Sequence, residues 1–150
     1  DRVIEVAKRV AEANPYEVAF ADTIGVGVPS QVTEILTRAR EALPGVRLRA
    51  HFHNTRNTGL ANAYAAVAAG VSALDSSAGG IGGCPFAPAA TGNIPTEDLV
   101  YMLERMGVST GIDLDKLLAT GEWLQQTLGR NVPGMLLKAG GFPKPSAQAA

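Results

Sequence analysis

Cysteine is nearly missing from this sequence: there is one in 150 residues, and aromatic residues make up only 5%. A single thiol excludes an internal disulfide and fits a reducing compartment, with the cytoplasm as the expected location. Charge of either sign is not in excess, with 13 Lys and Arg against 14 Asp and Glu. A net charge of -1 gives no global electrostatic reason to bind nucleic acid or a membrane surface. Long hydrophobic runs are also lacking, so no spanning helix and no signal peptide is expected. What is abundant is glycine (17 residues) and an overall hydrophobic share of 46%, enough for one globular unit with a true core.

Periodicity orders the chain. Val3, Ile4, Ala7, Val10 and Ala11 recur at helical spacing until Asn14-Pro15 stops them. Tyr16 to Ala21 reads as a strand, and Pro29-Ser30 opens a second helix carrying Val32, Ile35, Leu36, Ala39 and Leu43. Val46 to His53 is the next strand, Leu60 to Ala68 a third helix, and Val71 to Asp75 a third strand. A long glycine-rich loop follows, then a helix from Thr96 closed by Gly107, and a further helix capped by Asp113 that continues to Leu128. From Asn131 on, Pro, Gly, Ser and Ala dominate, and 140–150 reads as a poorly ordered tail. The expected organisation is a catalytic domain over 1–130 and a partly disordered tail over 131–150. Alternation of strands and helices at this spacing implies parallel β/α units. Three parallel strands cannot close a barrel, and a full (β/α)8 barrel takes about 250 residues. The chain is therefore read as a small open sheet or as part of something larger, and a start inside an uncapped helix favours a fragment.

His51-Phe52-His53 is the sharpest chemical signal. Alternate positions on a strand lie about 7 Å apart and project from the same side, and imidazole is a common ligand for divalent transition metals. The pair lies at the carboxyl end of its strand, where parallel α/β folds place their sites. The same parity points Arg49 inward, where a small residue would fit more easily, so Arg49 is expected to reach a polar floor. At the end of the preceding strand, alternation puts Ala19, Ala21 and Thr23 on one face and Val18, Phe20 and Asp22 on the other. Thr23 is then the easier residue to aim at a substrate. Asp22 has two open readings, a site residue redirected by the turn or an Asx-turn and capping residue. Gly79-Gly80-Ile81-Gly82-Gly83-Cys84 lacks the Lys and Ser/Thr of a phosphate loop. Its thiol reads equally as a mobile proton donor over a site and as an inert residue. On spacing alone, Asn93 is a turn or cap residue and Glu97 an ordinary first-turn helix residue.

Together these segments resemble hydroxymethylglutaryl-CoA lyase, within the metal-dependent lyase and aldolase group of TIM barrels. The matching motifs are Asp22-Thr23-Ile24-Gly25-Val26-Gly27, His51-Phe52-His53-Asn54-Thr55-Arg56, Asp75-Ser76-Ser77, Gly79 to Ala87 and Ala90 to Leu99. The His-x-His signal is shared by the whole group, and the cysteine loop with its Thr-Gly-Asn continuation narrows it to the lyase. The resemblance spans about residues 1–128. It implies an α/β fold, the C-terminal part (about three β/α units) of a (β/α)8 barrel plus C-terminal helices. It implies cleavage of 3-hydroxy-3-methylglutaryl-CoA to acetyl-CoA and acetoacetate, the chemistry of leucine degradation and ketone-body formation. His51, His53 and Asn93 match the ligands of Mg2+ or Mn2+, Cys84 the catalytic loop cysteine and Asp22 an aspartate needed for activity. His51 is the candidate base and Thr23 the candidate substrate contact. Two imidazoles make Mn2+ a serious candidate beside Mg2+. The Arg-Asp pair of the first barrel strand has no match here, so the chain alone is expected to have negligible activity. Its expected partners are an acyl-CoA substrate and either further copies of itself or the missing N-terminal barrel half. Alternatives are a lyase or aldolase acting on another 3-hydroxyacyl-CoA or keto acid, and a non-catalytic half-barrel interaction module.

Overall fold

The structure is a computed structural model and describes residues 1–83 and 92–142. The chain forms two compact units. The first is built on residues 1–76 and takes in 82, 83, 92 and 93. The second is built on 77–81 and 94–142.

In the first unit the order is α1 (Arg2–Ala11), β1 (Glu17–Asp22), α2 (Pro29–Ala42), β2 (Arg47–Phe52), α3 (Gly59–Ala68) and β3 (Ala73–Asp75). The three strands form one parallel sheet in sequential order. This is the β/α repeat expected from the hydrophobic spacing, and each inter-strand helix supplies the crossover that parallel pairing requires. Proline at the first position of α2 presets the helical backbone.

Alternation separates the two faces of the sheet. Val18, Leu48, Ala50 and Phe52 are buried, as are Ile4, Ala7, Val32, Leu36, Ala39, Ala63 and Ala66 of the helices. That is the apolar core. The opposite parity carries Glu17, Ala19, Ala21, Arg49 and His51, which are half-buried or exposed. In register, Ala21 pairs with His51, His51 with Asp75, and Arg49 with Ala19 and Ala73. A one-residue slip would exchange the two faces, so the buried apolar set fixes which side chains reach the polar one.

The second unit holds a short 3₁₀ turn (Ala78–Gly80), α4 (Thr96–Arg105), α5 (Leu114–Leu128) and α6 (Leu136–Ala139). Asp113 caps α5 as expected, accepting the Lys116 amide at 3.1 Å. Gly121 sits inside this helix because a Cβ there would lie 2.5 Å from Leu137 Cδ2. Within the segment read as a partly disordered tail, residues 131–142 carry structure. Val132 and Leu136 are buried, and α6 forms between them and Gly140. Hydrogen bonds from the backbone add to these apolar anchors: the Met135 and Leu136 amides donate to Asp98 and the Gly134 amide to the Gly79 carbonyl. Among the described residues, no helix is long and apolar enough to cross a membrane.

Candidate active site

The site starts from the end of β2. The ladder stops at Phe52, one residue short of the expected strand end, but His53 is held by an isolated antiparallel bridge to Asn93. The Asn54 amide donates to the Gly92 carbonyl at 3.1 Å and reinforces it. These contacts put Asn93 beside the histidine pair although forty residues separate them in the chain. The two imidazole rings lie 5.0 Å apart between centroids, tilted by 60°. His51, His53 and Asn93 are thus brought together at the end of β2. Gly82 joins them: its φ of +98° is a glycine conformation, and a Cβ would sit 3.0 Å from Asn93 Nδ2.

The histidines meet different surroundings. His53 is 4% exposed and its Nδ1 has no hydrogen-bond partner. Burial lowers its pKa, His51 lowers it further, and Asp22 opposes them. The neutral imidazole that a metal needs is therefore favoured at His53. His51 is more open, and its Nδ1 stands 3.7 Å from Asp75 Oδ2.

Below His51 runs a charged row. Arg49 donates from Nε to Glu17 at 2.6 Å and from Nη1 to Asp75 Oδ1 at 2.7 Å. The polar floor inferred for Arg49 is this bridge. Hydrogen bonding to Asp75 and then to Glu17 raises the pKa of the guanidinium.

The cap position of α2 is Val28, and Asp22 ties down the loop that follows its strand. Its Oδ1 accepts the Val26 amide at 3.0 Å and its Oδ2 the Gly27 amide at 2.8 Å. Both carboxylate oxygens hold the 22–27 loop, while the charge still acts on His53. The same loop is tied from the other side by Arg56, which donates to the Ile24 and Gly25 carbonyls, and by the fully buried Asn62, which donates to the Gly27 carbonyl. Thr23 is exposed on the loop. Cys84 lies outside the described residues.

Sequence reasoning did not find Glu17 and Asp75 as partners of Arg49, because only the strand register brings them together. Nor did it find the burial of Glu97, read as an ordinary residue of the first turn of α4. Glu97 is fully buried. Its Oε2 accepts the Gly79 amide at 2.9 Å, and its Oε1 has no partner. A Cβ on Gly134 would fall 1.9 Å from that oxygen. Burial raises the pKa of this carboxyl group, ahead of every opposing contribution.

Among the described residues, no group of three His, Cys, Asp or Glu side chains could by itself hold a metal ion. Two imidazoles and one carboxamide are nonetheless a coherent partial ligand set. The buried, unpartnered Nδ1 of His53 is the kind of orphan that coordination or its supporting contacts would satisfy. The set fits a divalent cation whose remaining ligands come from elsewhere.

Comparison with known proteins gives this arrangement its context. The HMGL-like family model matches residues 1–124. (R)-citramalyl-CoA lyase of Chloroflexus aurantiacus is 47% identical over 93% of the chain and 44% of its own length. Mitochondrial hydroxymethylglutaryl-CoA lyase of Mus musculus is 44% identical over 92% of the chain and 42% of its own length. An HMG-CoA lyase structure from Acinetobacter baumannii, in complex with coenzyme A and 3-methylmalate, superposes with a TM-score of 0.90 at 40% identity. That match covers 95% of this chain and 47% of the other. The chain thus spans less than half the length of these relatives, and its three β/α units are part of the TIM-barrel fold of the lyases it superposes on.

Proposed function

The chain belongs to the HMGL-like family, and from that premise we propose that it carries the metal-holding rim of a carbon–carbon lyase acting on a 3-hydroxyacyl-CoA. 3-Hydroxy-3-methylglutaryl-CoA, cleaved to acetyl-CoA and acetoacetate, is the leading substrate. The observation that carries the reading is the convergence of His51, His53 and Asn93 at the carboxyl end of β2.

His51, His53 and Asn93 would hold Mg2+ or Mn2+, which supplies Lewis acidity toward the substrate's hydroxyl oxygen. A base beside the metal takes the proton of the substrate's tertiary hydroxyl; His51, the more open imidazole, can be that base only while its Nε2 is off the metal. The bond between the carbinol carbon and the carbon next to the thioester then breaks, and its electron pair passes to a thioester enolate. Cys84, by its resemblance to the loop cysteine of the lyases, gives the enolate its proton while the loop keeps water out. Asp22 acts by holding the 22–27 loop and by its charge on His53, and Thr23 on that loop meets the substrate. The rest of the barrel would complete the site, with the outer edge of β1 and the exposed Val3, Val6 and Val10 of α1 as the adjoining surface. Self-association is the other way of covering that surface. Location in the cytoplasm remains part of this reading.

A second substrate has a specific observation in its favour, since the 47% identical relative is a citramalyl-CoA lyase. The deciding assay supplies the complete barrel protein with Mn2+ and measures acetyl-CoA release from both thioesters. Release from 3-hydroxy-3-methylglutaryl-CoA in clear preference supports the leading reading, and preference for citramalyl-CoA transfers the site to that substrate. Release from neither overturns the lyase reading. The 150-residue chain alone is expected to give negligible acetoacetate, and a rate near that of the complete protein would refute the need for the remaining strands.

A further inference from the structure

We propose that Arg49 and Asp75 are positioning residues that fix the tautomer of His51, leaving its Nε2 lone pair free. The inference deepens the metal-dependent reading of the site and rests on it for its consequences, though not for its geometry.

The argument begins with an oddity. The polar face of β2 runs Arg47, Arg49, His51, and a guanidinium two residues below a ligand histidine needs a reason. Register gives one. β2 lies between β1 and β3, so a side chain at Arg49 faces both neighbours at once. Glu17 approaches from β1 and Asp75 from β3, each at hydrogen-bond distance. Asp75 pairs in register with His51, and its two oxygens are divided. Oδ1 takes the Arg49 Nη1 proton at 2.7 Å, and Oδ2 faces His51 Nδ1 at 3.7 Å. With Oδ1 tethered, Asp75 cannot rotate freely, and Oδ2 stays aimed at the ring.

A carboxylate only accepts hydrogen bonds. The ring proton is therefore placed on the nitrogen the carboxylate faces, and the 3.7 Å separation must close to hydrogen-bond distance when the ring takes a ligand. A ligand histidine whose second ring nitrogen donates to a carboxylate is held in tautomer and orientation and becomes more basic. Glu17 completes the row by neutralising the second half of the guanidinium, so that Arg49 stays bridged and does not turn to solvent. His53 has no such partner, its Nδ1 being buried and unbonded. The two histidines are thus unequal: His51 is backed by a charged row and His53 is held by burial and the Asn93 bridge.

The test uses the full chain without metal and reads the imidazole nitrogens by 15N NMR, then titrates Mn2+ alone. In the wild-type chain His51 is expected as the Nδ1–H tautomer. Asp75→Asn is isosteric, and Arg49 keeps the amide oxygen, which turns the amide N–H toward His51. The tautomer should therefore invert, and Mn2+ affinity should fall about tenfold or more. Arg49→Met should mix the tautomers and weaken Mn2+ to a similar extent, and Glu17→Gln should do less. If Arg49→Met does not fold, Asp75→Asn carries the same comparison. An unchanged His51 tautomer with unchanged Mn2+ affinity in Asp75→Asn would overturn the inference and leave the row a purely structural bridge. A wild-type chain with His51 fixed as Nδ1–H but no Mn2+ binding would uphold the positioning and defeat the metal reading instead.

Discussion

The polar face of the sheet and the surroundings of Glu97 each hold a carboxyl group against backbone and packed side chains, by opposite means. Asp75 keeps a guanidinium within 2.7 Å and remains about a third exposed. Its charge is matched by another charge, and the pair is laid out for use beside a histidine. Glu97 has no cation, is fully buried, and receives a single backbone donor from outside its own helix turn on one oxygen while the other is bare. There desolvation dominates and pushes the carboxyl pKa up. The contrast separates two kinds of polarity: a charged row that can orient a ligand, and a desolvated carboxyl group that fills space between α4, the 3₁₀ turn and the segment around Gly134.

Several changes would break or sharpen this contrast, beginning with the most damaging. Gly134→Ala drives a methyl group into Glu97 Oε1, which cannot swing away because Gly79 holds its carboxyl group. Overpacking of this kind costs about 3 kcal/mol, and a denaturant titration of the chain should show a loss of that size. A loss below about 1 kcal/mol would mean that Glu97 is free to move. Gly121→Ala is milder, because Leu137 is a flexible neighbour and alanine favours the helix. Its expected cost is about 1 kcal/mol, relieved when Leu137 is shortened to alanine as well.

Glu97→Gln probes the desolvated carboxyl group through pH. The folded pKa lies above the ordinary 4.5. Below 4.5 both folded and unfolded chains hold the proton. As pH rises the unfolded chain loses it first, so the group's stabilising contribution falls until its folded pKa is passed. Melting curves recorded upward from pH 4 should show a decline in the wild type that is flatter in Glu97→Gln, and parallel curves would contradict the assignment. His53 has the opposite sign. Its folded pKa is depressed below 6.5, so its contribution is present above 6.5 and is lost as pH falls through the folded value. His53→Gln should remove that acid-side loss. Added salt gives the smallest effect: it should weaken the Glu17–Arg49–Asp75 row slightly, since its side chains are 20 to 36% exposed, and leave the Glu97 region untouched.

The fold was largely legible because its signals are local. Leu36, Ala39 and Leu43 recur at helical spacing, and Leu48, Ala50 and Phe52 alternate, so the order of elements followed without tertiary knowledge. The histidine pair was legible for the same reason, as period-two geometry acts within one strand. What stayed hidden depends on other segments. Asp75 became the partner of Arg49 and His51 only through the β2–β3 register. Asn93 reached His53 through a bridge that no local pattern encodes. Glu97 looked like any acidic residue in a first helical turn, and its burial comes from Gly79 and Gly134, eighteen residues before it and thirty-seven after it in the chain. Val132 and Leu136 were masked by the glycine and proline around them. Asp22 had been left open between two roles, and its bonds to Val26 and Gly27 show it holding the loop, with Val28 at the cap position of α2.

The most direct test of the central claim is a Mn2+ titration of the chain followed by electron paramagnetic resonance, with His53→Gln and Asn93→Ala alongside. The account predicts one bound Mn2+ per chain in the wild type, showing coupling to imidazole nitrogen, and a loss of affinity in both variants. Wild-type binding without nitrogen coupling, or binding unchanged by both substitutions, would contradict it.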